Sequence, residues 1–306
     1  MTSSPFRWVY CRAGEKVVIC FFSYTALLSL HFCPSLPGKM LAALLPLLLL
    51  LLAGIETRFG SRSTSIARDW VIPVAVLAGY WQMGLFGGHH STAWQDRFLA
   101  ADHFLLYGVG LRALIESCGP LLPWLLELSY SLLYAIPGIC IGILYAKGAR
   151  PRIDKFLQTF ALGSLLAYAL LPVIPVGSPR VIYPAVDLPS FLGVWRAGNT
   201  WLLDHLDIGT SVFPSGHVAV AFSCALGFYR ALPRSRGLVA GLLILASAVF
   251  VTTIYGRYHY AADGTASIVI ALTAWALCEV RSFDILAAVS ARVAPEAPEG
   301  EDNPWR

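Results

Sequence analysis

The stretch VFPSGHVAV, residues 212–220, places a proline, a serine, a glycine and a histidine in the middle of an apolar segment. A helix that contacts only lipid has no use for a hydroxyl, a glycine and a titratable imidazole in succession. Proline and serine are common where helices begin, so one interpretation of residues 214–217 is a helix start. The other is a site for a polar ligand. The rest of the chain decides between them.

The composition around this stretch is that of a membrane protein. Of the 306 residues, 57% are hydrophobic and 13% are charged, whereas soluble domains carry about 25% charged residues. The apolar blocks are long enough to cross a bilayer, which takes roughly 20 residues per helix. We predict an all-α fold, a polytopic membrane helical bundle of about eight transmembrane helices. The predicted spans are residues 17–33, 40–55, 70–87, 122–146, 156–175, 214–231, 237–255 and 260–280.

The charges between the spans indicate the orientation of the bundle. With the N-terminus inside, the cytoplasmic segments contain 16 lysine and arginine residues and the opposite side contains six. This is the asymmetry that the positive-inside rule describes, so both termini are predicted to be cytoplasmic. The net charge of +4 reflects the same bias and indicates no nucleic-acid partner.

The chain is predicted to form one integral-membrane domain, residues 1–286. Residues 287–306 are rich in proline, glutamate and alanine, and we predict that they form a disordered cytoplasmic tail. The seven cysteines are scattered without a spacing typical of metal sites, so neither disulfides nor zinc are predicted from them.

Polar residues collect at three places on the predicted non-cytoplasmic side. These are PVGSPR (175–180), PSGH (214–217) and GRYHYAAD (256–263). Each alone has an ordinary explanation: an arginine among lipid headgroups, a helix start, or a histidine and an aspartate that hydrogen-bond on one helix face. Together they indicate a functional site, because ionisable groups at membrane depth are costly.

Two histidines, a carboxylate and arginines beside a lipid surface are suited to phosphoryl transfer. The neutral imidazole of His259 can attack phosphorus if a partner fixes its tautomer, and Asp263 is spaced to do so. His217 is placed to protonate the leaving oxygen and then to activate an incoming water or alcohol. Positive charge for the phosphate oxygens would come from Arg180 and Arg257.

The serine and glycine of the PSGH motif fit the same chemistry. The amides of Ser215 and Gly216 lie at a predicted helix N-terminus, which favours anions, and glycine lets the backbone approach a ligand closely. No cofactor and no metal are predicted. A zinc site built from His217, His259 and Asp263 is the alternative, and insensitivity to chelators would exclude it.

These residues resemble the type 2 phosphatidic acid phosphatase superfamily. Its signature is a basic motif ending in Arg-Pro, then Pro-Ser-Gly-His, then Ser-Arg followed by His and, four residues later, Asp. PSGH matches completely, and His259 with Asp263 matches the end of the third motif. The resemblance covers roughly residues 100–280 and implies a six-helix phosphatase-type core. The roles it implies are nucleophile for His259, its partner for Asp263, acid and base for His217, and phosphate ligand for Arg180, Ser215 and Gly216.

Departures from this signature resemble one branch of the superfamily. Val173 stands where a lysine is expected, and Thr252 and Thr253 replace the Ser-Arg pair. Arg257 lies two residues before the histidine instead, and Ser-Pro-Arg replaces Arg-Pro. Together with residues 115–137, these features are similar to the inositol phosphorylceramide synthase branch, whose members move a phosphoinositol headgroup between lipids.

The predicted function is that of a metal-independent lipid phosphatase or phosphotransferase that works through a phosphohistidine. Headgroup transfer to a lipid alcohol is the first hypothesis, and hydrolysis of phosphatidate or a polyprenyl (di)phosphate is the alternative. A non-catalytic lipid-binding or transport protein is a third hypothesis, although no inverted repeat supports transport. The expected partners are a phospholipid or lipid phosphate and the bilayer.

The active site is predicted on the non-cytoplasmic side of the plasma or inner membrane in a bacterium, or of the Golgi or ER in a eukaryote. Residues 181–210 are predicted to cover it. The sequence leaves the oligomeric state open. It also leaves open whether four interfacial residues bind a headgroup or only cap and pair: Asp102, His103, Glu116 and Glu127.

Overall fold

The computed structural model describes residues 11–32, 36–60, 62–87 and 92–280, and every regular element in these ranges is helical. The tail predicted at residues 287–306 lies outside them. The α-helices, in chain order, are α1 (Ala13–Phe32), α2 (Leu36–Phe59), α3 (Arg62–Met83), α4 (Thr92–His103), α5 (Leu111–Glu116), α6 (Leu121–Leu132), α7 (Ile136–Ala146), α8 (Ile153–Leu170), α9 (Pro179–Ile182), α10 (Val194–Leu206), α11 (Gly216–Ala231), α12 (Arg236–Tyr255) and α13 (Ala261–Glu279).

Each predicted span coincides with helix in the structure. Three stretches of the described residues are long and apolar enough to cross a membrane: Leu121–Ala146, Arg236–Tyr255 and Ala261–Glu279. On this measure the chain is an integral membrane protein. The other five predicted spans coincide with α1, α2, α3, α8 and α11. Of these, α11 has only 16 residues, and α1, α3 and α8 carry charged residues in their first turns. The count of eight is therefore confirmed only in part.

The helix that coincides with the third predicted span, residues 70–87, begins eight residues before that span, at Arg62. This extension is possible because two charged residues that interrupt the apolar pattern are paired inside the bundle. Arg68 donates to Glu15 of α1 at 2.6 Å, and Asp69 accepts from Arg12 at 2.5 Å. Burial of charged groups is tolerated when they are paired in this way.

Helices α8 and α11 form the centre of the bundle. α11 packs against α8, α12 and α13, while α8 also contacts α1, α3 and α13. Gly227 permits the close approach, because a Cβ there would lie 2.7 Å from the carbonyl oxygen of Phe156. Small residues at such contacts let helix backbones pack closely in membrane proteins. This contact therefore helps to fix the position of α11, whose first turn carries His217.

We expect Gly227→Ala to destabilise the protein by about 1–3 kcal/mol, because the added methyl group meets backbone rather than a movable side chain. Gly241→Ala in α12 is the matched control, since nothing lies within 4 Å of a Cβ built there. Alanine at that helix-interior position should be neutral or slightly stabilising. Thermal unfolding of both variants in one detergent measures the difference. Equal melting temperatures would contradict the close contact between α8 and α11.

The helix starts of α11 and α13 meet at one end of the bundle. Residues 256–260 connect α12 to α13 beside the first turn of α11. The N–H of Ser215 donates to the carbonyl of Asp263 at 3.2 Å, and the hydroxyl of Ser267 donates to the carbonyl of Ser215 at 2.8 Å. These two bonds hold the PSGH motif and the histidine–aspartate motif together.

Candidate active site

A small pocket lies at this end of the bundle. Residues of the PSGH motif (214–217) and of the segment 256–263 line it, together with Arg180 from residues 175–180. It contains both motif histidines and Arg180. The lining residues are Tyr80, Leu171, Arg180, Leu203, Asp207, Ser211, Val212, Pro214, Gly216, His217, Tyr258 and His259. Residues distant in the sequence thus come together here, as the shared membrane face predicted.

The two histidines contact each other directly. Nδ1 of His217 lies 3.1 Å from Nε2 of His259. On the far side of each ring, Nε2 of His217 lies 3.2 Å from the hydroxyl of Tyr134, and Nδ1 of His259 lies 3.1 Å from the carbonyl oxygen of Val212. The four groups form one continuous hydrogen-bonded chain.

This chain assigns the tautomers when both rings are neutral. The carbonyl of Val212 can only accept, so Nδ1 of His259 carries the proton and its Nε2 carries the lone pair. Nδ1 of His217 must then donate to that lone pair, and Nε2 of His217 accepts from Tyr134. The lone pair of His259 is therefore directed at His217, and a ligand that displaced His217 would meet it, as an attack on phosphorus requires.

Asp263 lies behind the ring of His259. Its Oδ2 is 3.4 Å from Nδ1 of His259 and accepts the N–H of Tyr260 at 3.0 Å. Its Oδ1 is buried and has no hydrogen-bond partner in the described part of the chain. An imidazole that bonds to phosphorus through Nε2 while keeping its Nδ1 proton becomes cationic. The adjacent carboxylate is therefore placed to stabilise that charge.

Burial of the ring lowers the pKa of His259, and the nearby carboxylate of Asp207 opposes this only in part. The positive charge of Arg180 lowers it further. His259 is therefore neutral at neutral pH, and protonation removes the nucleophilic lone pair only in more acidic solution.

Ser215 and Gly216 begin α11, as predicted. The hydroxyl of Ser215 caps the helix by accepting the N–H of Val218 at 3.4 Å. Its own N–H is already bonded to Asp263, so the predicted use of this amide for phosphate would require that bond to open. A Cβ at Gly216 would lie 2.8 Å from the ring of Tyr168, so glycine is required here by close packing.

Arg180 lies at the rim of the pocket and is held by two carboxylates. Its Nη1 is 2.6 Å from Asp204 and its Nη2 is 3.5 Å from Asp207. Asp207 also accepts from the hydroxyl of Tyr80 at 2.6 Å. A phosphate that binds Arg180 must therefore compete with these carboxylates, of which Asp204 is the more exposed.

A comparison with protein families identifies the group to which this site belongs. The family model described as the PAP2 superfamily matches residues 98–277, which include both histidines, the aspartate and Arg180. The chain belongs to the PAP2 superfamily. It is therefore a membrane protein related to lipid phosphatases, and PAP2 members are typically metal-independent phosphatases.

One curated relative adds to this. A PA-phosphatase related-family protein of Dictyostelium discoideum is 38% identical over 130 residues, which cover 40% of this chain and 22% of the relative. The chain thus spans about a fifth of the length of that relative. No solved structure matches the chain.

The positions that depart from the PAP2 signature lie outside the pocket. Val173 is exposed, and Thr252 and Thr253 are buried in α12. The hydroxyl of Thr252 donates to the carbonyl of Leu126 at 2.8 Å, and that of Thr253 to the carbonyl of Phe250 at 2.7 Å. The hydroxyls of both threonines therefore bond to backbone carbonyls, and neither residue lines the pocket.

Arg257 is buried beside the pocket and paired with Asp102. Its Nη1 donates to Asp102 at 2.8 Å, while its Nε and Nη2 have no hydrogen-bond partner among the described residues. The other oxygen of Asp102 accepts the N–H of Ala261 at 2.9 Å. Asp102 therefore supports the start of α13, and the structure keeps Arg257 out of the pocket lining.

A polar network that was not predicted from the sequence lies behind His217. Glu127 accepts from the hydroxyl of Tyr258 at 2.7 Å and pairs with Arg196 at 3.1 Å. Arg196 also lies over the ring of Tyr258, 4.7 Å from its centroid. The ring of Tyr130 lies between Tyr258 and His217, at 4.5 and 4.8 Å. Glu127 thus positions the ring stack against His217. Arg196, within residues 181–210, was the sequence feature that could have indicated this network.

Glu116 and His103, the two remaining interfacial residues, contact residues 181–210, the segment that was predicted to cover the pocket and that we call the covering segment. Glu116 accepts the N–H and the hydroxyl of Ser190, both at 3.1 Å, and pairs with Arg112. Exposed His103 lies 3.1 Å from Asp187. These contacts join α4, through His103, and α5, through Glu116, to residues 181–210.

We expect Asp204→Asn to lower the inhibition constant for inorganic phosphate about two- to fivefold, because phosphate then no longer competes with the Asp204 carboxylate for Arg180. The effect is limited because exposed ion pairs are worth only about 0.2–1 kcal/mol. Competition assays against the lipid substrate measure it. Asp96→Asn is the control, since this exposed carboxylate contacts Tyr183 instead. Unchanged or weaker inhibition in Asp204→Asn would show that the carboxylate does not restrain Arg180.

Proposed function

We propose that the protein cleaves a lipid phosphoester through a phosphohistidine on His259. The observation that carries the proposal is the hydrogen-bonded chain from Tyr134 through His217 to His259, which directs the lone pair of Nε2 of His259 at His217. A phosphate entering between the rings replaces the contact between them. Nε2 of His259 then bonds to phosphorus as the ester oxygen leaves.

His217 supplies and removes the proton in this scheme. The negative charge of a bound phosphate favours its imidazolium form, from which the leaving oxygen takes a proton. The resulting neutral ring then accepts a proton from the incoming water or alcohol, which attacks phosphorus and frees His259. Arg180, and the first turn of α11 at Ser215 and Gly216, would bind the phosphate oxygens, and Arg257 would contribute if it turned from Asp102.

A lipid substrate is supported by the surface beside the pocket. The covering segment exposes large apolar side chains, with Leu192 at 76%, Val194 at 72% and Trp201 at 58% of their surface. Such residues contact lipid at a membrane interface. His259 itself is only 5% exposed. This burial limits access of bulk water and favours an acceptor that arrives from the bilayer.

The acceptor in the proposal is accordingly a lipid alcohol, as in the inositol phosphorylceramide synthase branch. The proposed topology has eight spans, cytoplasmic termini and the pocket on the opposite side. Single cysteines at Lys147 and Ser190, in a cysteine-free background, test the orientation with a membrane-impermeant thiol reagent. Modification of both positions from the same side would contradict the topology.

Product analysis tests the reaction. Purified protein in mixed micelles with excess EDTA receives phosphatidate, a polyprenyl diphosphate or phosphatidylinositol, with and without diacylglycerol or ceramide. A new phospholipid that forms only with the added alcohol is the expected result. Release of phosphate, or of inositol phosphate from phosphatidylinositol, regardless of the alcohol would make the protein a hydrolase. Absence of any product, or loss of activity in EDTA, would contradict metal-independent catalysis.

A further inference from the structure

A second cavity lies at the opposite end of α11 from the pocket. It has a volume of about 340 Å³ and is lined by Arg152, Lys155, Arg230, Ala231, Pro233 and Arg234. We call these six residues the basic recess. His217 is in the first turn of α11 and Arg230 is in the last, so about 20 Å of helix separates the two sites. The recess is therefore a separate feature on the other face of the bundle.

One cation of the recess is fixed by the protein. Arg230 donates to Glu279 at 2.9 Å, to the side chain of Thr159 at 3.0 Å and to the carbonyl of Cys278 at 2.9 Å. Its side chain is only 9% exposed. Arg230 therefore forms a rigid wall of the recess. The negative charge of Glu279 is neutralised by this ion pair with Arg230.

The other three cations have no such partners. Arg152, Lys155 and Arg234 are exposed, and their side chains form no hydrogen bond or ion pair with any described residue. The lining includes no acidic residue, and Asp154 nearby is occupied with the backbone N–H groups of Ala13 and Gly14. Among the described residues, the arrangement is thus a positive site around a cavity in which three of the four cations have no paired anion.

Neither the positive-inside rule nor the helix dipole explains why four cations lie around one cavity. The positive-inside rule describes an excess of lysine and arginine on one face, but it does not gather them around one cavity. The helix dipole would disfavour Arg152 and Lys155, which lie at the N-terminus of α8, where anions are preferred. An anionic ligand would offset both the dipole and the mutual repulsion of the cations.

We propose that the basic recess binds the phosphate-bearing headgroup of an anionic phospholipid. Arginine and lysine side chains between helix ends bind phosphate headgroups through charge-assisted hydrogen bonds. Apolar side chains beside the recess are exposed as well, with Tyr229 at 41% and Leu238 at 37%. They offer an acyl chain a surface next to the headgroup, which a soluble phosphate would not need.

The test is lipid-dependent thermal stabilisation of the full-length protein in neutral detergent. The His259→Ala background prevents turnover, and the probes are phosphatidylglycerol, phosphatidylcholine and glycerol 3-phosphate. The recess variant combines Arg152→Gln, Lys155→Gln and Arg234→Gln. The control variant removes three exposed cations elsewhere in the predicted cytoplasmic segments by Arg58→Gln, Arg62→Gln and Lys147→Gln.

We expect phosphatidylglycerol alone to stabilise the protein. The half-saturating lipid concentration should rise roughly tenfold or more in the recess variant and less than about twofold in the control. Equal shifts in the two variants, or no shift in either, would overturn the proposal. Equal stabilisation by glycerol 3-phosphate would overturn the lipid assignment. If the triple variant fails to fold, Arg234→Gln alone gives the same test at smaller amplitude.

Discussion

Replacing His259 by alanine is expected to lower turnover at least about 10,000-fold and to leave the protein folded. The reaction loses its nucleophile, and removal of a nucleophile that works in concert with its partners has effects of this size or larger. His217 cannot take its place, because no carboxylate of the described residues lies in contact with its ring as Asp263 does with that of His259. Initial rates and thermal unfolding in the same micelles measure the two parts of the expectation.

Trapping of the intermediate makes this result specific. Quenching of the wild-type protein with detergent at alkaline pH, after mixing with substrate labelled in its phosphate, should leave label on the chain that later acid treatment removes, and His259→Ala should retain none. His205→Ala is the matched control, since this exposed histidine contacts only Trp201 in the described structure. Label retained by His259→Ala, or equal losses of rate in the two variants, would place the nucleophile elsewhere.

Replacing His217 by asparagine is expected to lower turnover of the natural substrate about 100- to 10,000-fold, the range for loss of a general acid–base. The size of the loss should depend on the leaving group. A nitrophenyl ester of the phosphate leaves without protonation, so formation of phosphohistidine should be nearly normal. Its breakdown still requires a base. The phosphoenzyme should therefore accumulate in His217→Asn, which quenched-flow experiments with labelled ester measure.

Tyr134→Phe separates this role from a structural one. It removes the hydroxyl that bonds to Nε2 of His217 but leaves the imidazole in place. We expect a loss of less than about tenfold, without accumulation of phosphoenzyme. If His217→Asn slowed both ester types equally and no phosphoenzyme accumulated, His217 would be a positioning residue and not the acid–base group.

Local sequence patterns located the helices and the chemical groups. The apolar blocks coincide with helices because a segment of this composition must satisfy its backbone internally and bury its side chains in lipid or protein. The PSGH motif and the pair His259 and Asp263 were recognisable for a similar reason. Their roles depend on residue type and on spacings of a few residues, which a helix start preserves.

Contacts between distant residues were not available from those patterns. The start of α3 at Arg62 was not expected, because Arg68 and Asp69 interrupt the apolar pattern and their partners, Glu15 in α1 and Arg12 just before it, are distant in the sequence. Arg257 was expected at the phosphate but is paired with Asp102, more than 150 residues earlier in the chain. Nothing near either residue in the sequence indicates that partner.

Composition and short motifs thus determined that this is a helical membrane protein that carries PAP2-type motifs at one end. Tertiary packing alone decided that Nε2 of His259 faces His217, that Asp204 and Asp207 hold Arg180, and that four cations surround a recess at the far end of α11. The physical reason is range. Backbone preference and hydrophobicity act over a few residues, whereas the direction of a lone pair or the partner of a charge depends on side chains that only the folded bundle brings together.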